Sequence, residues 1–179
     1  MRRHRKLIAL FAGLAIAAGG WLLVRMREPG GSKPTVAKQE WDAKHEKIFL
    51  AEQLKRNPTH GPILLRMAQM ERGEGDLRGA RQHLEQAVAA DGSQVEMRLE
   101  LSLVCAELGD IAAAEEQNRA ILKMDPAQPD ALYNLGAIAA NRGDVAQARK
   151  LWNDAVQAGK GSESAGKAKA ALARLETMR

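Results

Sequence analysis

The chain is poor in the residues that usually carry chemistry. It has one cysteine, Cys105, so no intrachain disulfide can form, and no C-x-x-C-H stretch is present to attach a c-type haem. Cys105 shares a helical stripe with Arg98, Leu101 and Ser102, a packing position where a thiol acts as a small inert hydrophobe. The four histidines, His4, His45, His60 and His83, share no i, i+4 spacing and show no obvious carboxylate companions, which argues against a metal site. Aromatics make up 3% of the chain and no basic stripe interleaves with them, which disfavours nucleic acid as a partner. "PGGS" and "GKGS" are glycine-rich, but neither follows a strand or completes G-x-x-x-x-G-K-[ST]. No nucleophile stands with a base, and no acid/base pair is evident. The chain therefore reads as a non-enzyme that needs no cofactor and no metal.

Acidic charge is missing from the first 27 residues, which hold six Lys/Arg and no Asp/Glu. The whole chain is +5, so the remaining 152 residues carry a net −1, and the basic balance belongs to the N-terminus alone. There a basic tail, 1–6, precedes the 18 uncharged residues Leu7 to Val24. As a helix this run would span roughly 27 Å, close to the hydrocarbon core of a bilayer. Trp21 near its end, with Arg25 and Arg27 beyond, suits an interface anchor. Ala15-Ile16-Ala17 would suit a signal-peptide cleavage site, but the apolar run continues for seven residues past it, which favours an uncleaved signal anchor over 7–24. With Arg2, Arg3, Arg5 and Lys6 ahead of the span and Arg25, Arg27 and Lys33 after it, the expected layout is a cytoplasmic tail with the rest of the chain outside. That makes it a single-pass protein of a bacterial inner membrane whose folded part lies in the periplasm. Residues 25–40, rich in Pro, Gly and Ser, read as a flexible linker.

Beyond the linker the sequence repeats itself. Gly75-Asp76, Gly109-Asp110 and Gly143-Asp144 stand 34 residues apart. Ala80, Ala114 and Ala148 follow in register, then Leu84, Asn118 and Trp152, then Ala87, Ile121 and Ala155. A second periodic run precedes each Gly-Asp, so each unit reads as two short amphipathic helices turning at the glycine, where a positive φ ends the first helix. Asn57-Pro58 and Asp125-Pro126 are suited to stopping helices. A fixed period of this kind is the mark of a stacked repeat.

The pattern resembles the tetratricopeptide repeat family, whose unit is 34 residues long with W-x2-L-G-x2-Y, A-x3-F and P positions. The third copy carries Leu132, Leu135 and Gly136, then Ala148 and Trp152, with Ala139 in place of the tyrosine. The first carries Leu64, Met67, Ala68, Ala80 and Leu84. The second has Leu101 and Pro126 but places Arg98 and Asn118 where large apolar residues are expected. The resemblance implies an all-α, right-handed superhelical solenoid of helix-turn-helix units, here expected behind the N-terminal transmembrane helix read from residues 7–24. Its parts are an N-terminal helix over 41–58, a degenerate half repeat, and repeats at 61–94, 95–128 and 129–162. A capping helix follows over 163–179, with Ala168, Leu172, Leu175 and Met178 as its apolar stripe.

In this family the first helices of successive units line a concave groove that usually holds the ligand. Carried over to this chain, the resemblance implies a groove of Leu65, Gln69 and Arg72, then Leu99, Leu103 and Ala106 with Glu100 beside them. Tyr133, Asn134, Ala137 and Asn141 complete it. Members that clamp a peptide carboxylate use Lys, Arg and Asn at positions held here by Leu65, Gln69, Glu100, Asp130 and Asn134. Only Asn134 fits, so the apolar stripe suits an amphipathic helix or apolar peptide instead. The alternative is that the leucines are covered by the helix around Trp41–Leu54.

The layout of anchor, tether, helix, three repeats and cap resembles the membrane-anchored repeat proteins of bacterial cytochrome c maturation. That implies a non-catalytic chaperone whose partner is an apocytochrome c or a component of the haem lyase. The other expectation is a scaffold subunit of a pilus, secretion or envelope-assembly complex that acts as an oligomer or by docking. Ala9, Gly13 and Ala17, four apart in the span, would permit helix–helix contact in that case.

Overall fold

The computed structural model describes residues 36–177, with side chains from 42 onward. The basic tail, the apolar span 7–24 and linker residues 25–35 lie outside the described residues, as does Met178. Among the described residues there are eight α-helices and no strand. None of these helices is long and apolar enough to cross a membrane.

Helix α1 runs Val36–Arg56, followed by α2, Gly61–Glu74, and α3, Leu77–Ala90. Next come α4, Val95–Glu107, and α5, Ile111–Met124. The chain continues through α6, Pro129–Asn141, α7, Val145–Ala158, and α8, Glu163–Thr177. Residues 36–40, read from sequence as the end of the linker, are the first turn and more of α1. The prolines and glycines that break helices all precede Val36, and "VAKQE" after them consists mainly of good helix formers.

Each hairpin turns in the same way because the same two residues stand at each turn. Gly75, Gly109 and Gly143 have φ of 85°, 81° and 81°. The next N–H reaches back to a carbonyl five residues earlier: Asp76 to Glu71 at 2.8 Å, Asp110 to Cys105 and Asp144 to Ala139 at 2.9 Å. This closes the first helix with its last carbonyls satisfied. The aspartate then opens the second helix, its Oδ1 accepting from the N–H of Gly79, Ala113 and Gln147 at 3.0, 3.1 and 3.0 Å.

Helices pack mostly on their chain neighbours, most extensively within α2–α3, α4–α5 and α6–α7, and α8 packs on both α7 and α6. Ala80, Ala114 and Ala148 are buried at the point of approach in each hairpin. In the third hairpin the approach is closer still. A Cβ on Gly136 would lie 2.5 Å from the indole of Trp152, whose Nε1–H donates to the Tyr133 carbonyl at 3.2 Å.

The second hairpin solves its missing apolar residues with hydrogen bonds. Asn118 is fully buried at the register of Leu84 and Trp152. Its Nδ2 donates to the Ser102 hydroxyl and to the Ala114 carbonyl at 2.8 Å, while its Oδ1 accepts from Asn134 Nδ2 at 3.1 Å. A polar ladder thus joins α4, α5 and α6 through the core, every rung satisfied. Arg98 is half-buried, donating to the Gly92 carbonyl at 2.6 Å and to Gln117 Oε1 at 2.8 Å. Cys105 is buried on the packed face with Leu101 and Ser102, and burial pushes its thiol above the ordinary value.

Candidate functional site

Leu99 and Leu103 of α4, Tyr133 and Asn134 of α6, and Ser164 and Lys167 of α8 line one cavity of about 410 Å³. Glu96, Glu100 and Asp130 complete its walls. The period explains the assembly. Glu96, Asp130 and Ser164 stand 34 residues apart, as do Leu99, Tyr133 and Lys167. Helix α8 therefore occupies the place of the first helix of a further unit, and three helices present equivalent positions to one concave space. Its role is wider than the cap expected over 163–179. Ser164 and Lys167, missed from sequence, become visible once the period is carried one step past Gly143.

The other residues expected in the groove are placed differently. Leu65 is buried, 9% exposed, in a core against which Leu54 of α1 also packs, so it offers no binding surface. Burying this leucine in the core removes apolar area from water, which decides its position. Gln69 is half-buried and does not line the cavity. Arg72 is engaged by Glu107 at 2.7 Å and, more distantly, by Glu100 at 3.6 Å; its hydrogen bond to Glu107 holds its pKa above the usual value. Ala106 and Asn141 are exposed and Ala137 half-buried, all three outside the cavity lining. Leu103 is 40% exposed, the most open of the apolar residues lining the cavity.

The polar residues of the cavity are fixed from behind. One amide hydrogen of Asn134 is committed to Asn118, so the buried ladder sets its rotamer. Asp130 accepts from Gln128 Nε2 at 2.9 Å and from the Ser164 hydroxyl, which ties α8 to the start of α6. Lys167 pairs with Glu163 at 2.8 Å, and this hydrogen bond raises its pKa, with smaller help from the charges of Glu163 and Asp130.

A second hollow of about 450 Å³ lies among α5, α6 and α7, with Leu122, Leu135, Ile138 and Leu151 as its apolar lining. Its two arginines, Arg119 and Arg142, are both taken up by Glu115 at 2.5 Å. Burial works against the Glu115 charge, but those two hydrogen bonds hold its pKa below the usual value. One histidine does have a carboxylate companion: His83 Nδ1 lies 2.7 Å from Oε2 of buried Glu71, a contact between α2 and α3 that their distance in sequence conceals. Among the described residues no three His, Cys, Asp or Glu side chains gather as a metal ion would require.

An all-helical stack of in-phase hairpins with a grooved inner face defines a repeat solenoid, a class built for contact with other proteins. The tetratricopeptide repeat family model matches residues 65–129 and 106–165. The chain belongs to the tetratricopeptide repeat family. Such repeats are in general non-catalytic protein-interaction scaffolds. No curated protein matches the chain in sequence. Among solved structures, MamA is similar at 18% identity and a TM-score of 0.62, covering 79% of this chain and 88% of its own. YrrB, described as a TPR protein with an unusual peptide-binding site, is similar at 21% identity and a TM-score of 0.62, covering 73% of this chain and 68% of its own. Pseudomonas aeruginosa pilF follows at 17% identity and a TM-score of 0.66, covering 78% and 64%. Likenesses at this identity establish the fold alone.

Proposed function

We propose that the chain is a non-catalytic, membrane-anchored adaptor or chaperone that holds a peptide or amphipathic helix of a partner protein in the groove of α4, α6 and α8. One observation carries the reading: Leu99, Leu103 and Tyr133 line a single concave cavity, Leu103 with two fifths of its surface exposed. Apolar side chains kept at a surface in register, with a polar rim, suit the docking of an apolar stripe. The peptide-binding site of YrrB on the same architecture adds support. For the membrane the support is the uncharged run Leu7 to Val24, with the repeats placed in the periplasm of a bacterial inner membrane. Cytochrome c maturation, with an apocytochrome or haem-lyase component as client, is the pathway we favour, on the order of the parts. The test is purification of the full-length, C-terminally tagged protein from gently solubilised native membranes, followed by mass spectrometry. Haem-lyase components or apocytochromes, lost with Leu99→Glu, are the expected result.

A second reading is a scaffold subunit of a pilus, secretion or envelope-assembly complex that works by self-association. It is favoured by α1, the first helix of the stack, where Ile48 and Phe49 are 55% and 61% exposed. Recovery of assembly subunits, or of the protein alone as an oligomer sensitive to Phe49→Lys or Gly13→Ile, would replace the first reading with this one.

A further inference from the structure

We propose that the occupant of the groove is a basic amphipathic helix, with Lys or Arg flanking its apolar stripe; this rests on the groove reading above. The apolar centre is edged by three carboxylates, of which only Glu100 has an ion-pair partner among the described residues. Glu96 makes no ion pair among the described residues. Asp130 accepts hydrogen bonds only from neutral donors, Gln128 and Ser164, and feels the Lys167 charge without forming an ion pair with it. Glu100 has a single cation near it, Arg72 at 3.6 Å, and that guanidinium is bonded to Glu107 at 2.7 Å. The one cation of the lining, Lys167, is already paired with Glu163.

Three carboxylates against one lysine leave the cavity wall net negative. The arrangement also stabilises that charge. Glu96 and Asp130 lie in the first turns of α4 and α6, where the helix dipole favours an anion. Repulsion would reject an acidic segment or a chain-terminal carboxylate, while a helix with cations beside its apolar face would meet attraction in the groove. Glu96 and Asp130 stand at equivalent positions one turn before Leu99 and Tyr133, so the cations belong along that edge of the apolar stripe.

The test uses the full-length protein in nanodiscs of neutral lipid and three fluorescein-labelled 14-residue model helices. All share one leucine face, with a polar face of lysine, glutamate or glutamine. Anisotropy titrations are run with the natural sequence, with Glu96→Gln combined with Asp130→Asn, and with Leu99→Asn, each checked for helicity. The lysine peptide is expected to bind best, to weaken with rising salt, and to lose about tenfold in affinity when the two carboxylates are neutralised. Leu99→Asn should weaken all three. If the glutamine or glutamate peptide binds as well as the lysine one and Leu99→Asn still weakens it, the charge inference is overturned and the groove reading stands. If the lysine peptide binds but ignores all these substitutions, it sits elsewhere and the inference is overturned. If no peptide binds, both fall together.

Discussion

Asn118 shows what a single residue decides in this chain. At the same register the neighbouring hairpins bury Leu84 and Trp152, and Asn118 is sealed from water as completely as Leu84. A buried amide is tolerated only because Ser102, Ala114 and Asn134 satisfy it. Asn118→Ala would leave Ser102 and Asn134 short of a partner and a cavity beside them, at a cost of roughly 2–3 kcal/mol in chemical denaturation. Adding Ser102→Ala should recover part of that loss, since the orphaned hydroxyl goes with it. Gly136 is the other sensitive position. Gly136→Ala would place a methyl group 2.5 Å from the Trp152 indole, and overpacking of this kind costs roughly 1–3 kcal/mol. Near-ultraviolet circular dichroism of the tryptophans, followed through denaturation, would report both the displaced indole and the lost stability. In sequence Asn118 is only a misfit, because its side-chain partners, Ser102 and Asn134, come from two other helices.

At the scale of the helix, the turns carry a pH dependence. Asp110 caps α5, and its pKa is lowered first by the Ala113 N–H and then by Arg81. A lowered value in the folded state contributes stability that is present above the unfolded carboxylate pKa and lost as pH falls through the folded one. Asp91, lowered by Ser93 and Gln94, acts in the same sense. The melting temperature should therefore drop below about pH 4, and Asp110→Asn should flatten the drop. Helix α8 gives a second test. A chain ending at Ser162 loses Ser164 and Lys167 from the cavity wall and uncovers the side of α6 and α7 on which α8 packs. Lower solubility and loss of peptide binding should accompany each other in this truncation.

How much could be read in advance follows from the same geometry. The 34-residue period and its glycines fixed three hairpins in phase, because a local turn is written in local residues. Leu99, Leu103, Tyr133 and Asn134 are groove residues by the family resemblance, and the structure sets all four in one cavity lining. Leu65 belongs to the core instead, because its burial depends on how the helices close around it in three dimensions, which no repeat pattern records. The membrane span remains a reading of Leu7 to Val24 alone.

For the molecule as a whole, stability is a sum of hairpins and the interfaces between them. Within this stack the second hairpin meets the third through the Ser102–Asn118–Asn134 ladder as well as through apolar contact. Amide hydrogen exchange should then show the Asn118→Ala variant opening first in α4 and α5, with α6 and α7 still protected. With the proposed groove of α4, α6 and α8 occupied, those units would also be tied together and the protection of all three would rise.

The most direct test of the groove is photo-crosslinking in native membranes with benzoylphenylalanine at position 103 or, separately, at position 49. The account predicts an adduct from position 103 to an apolar, basic helical segment of a partner protein, absent when Leu99→Asn is present. An adduct from position 49 alone, joining two copies of the chain, would contradict it and make α1, not the groove, the working surface.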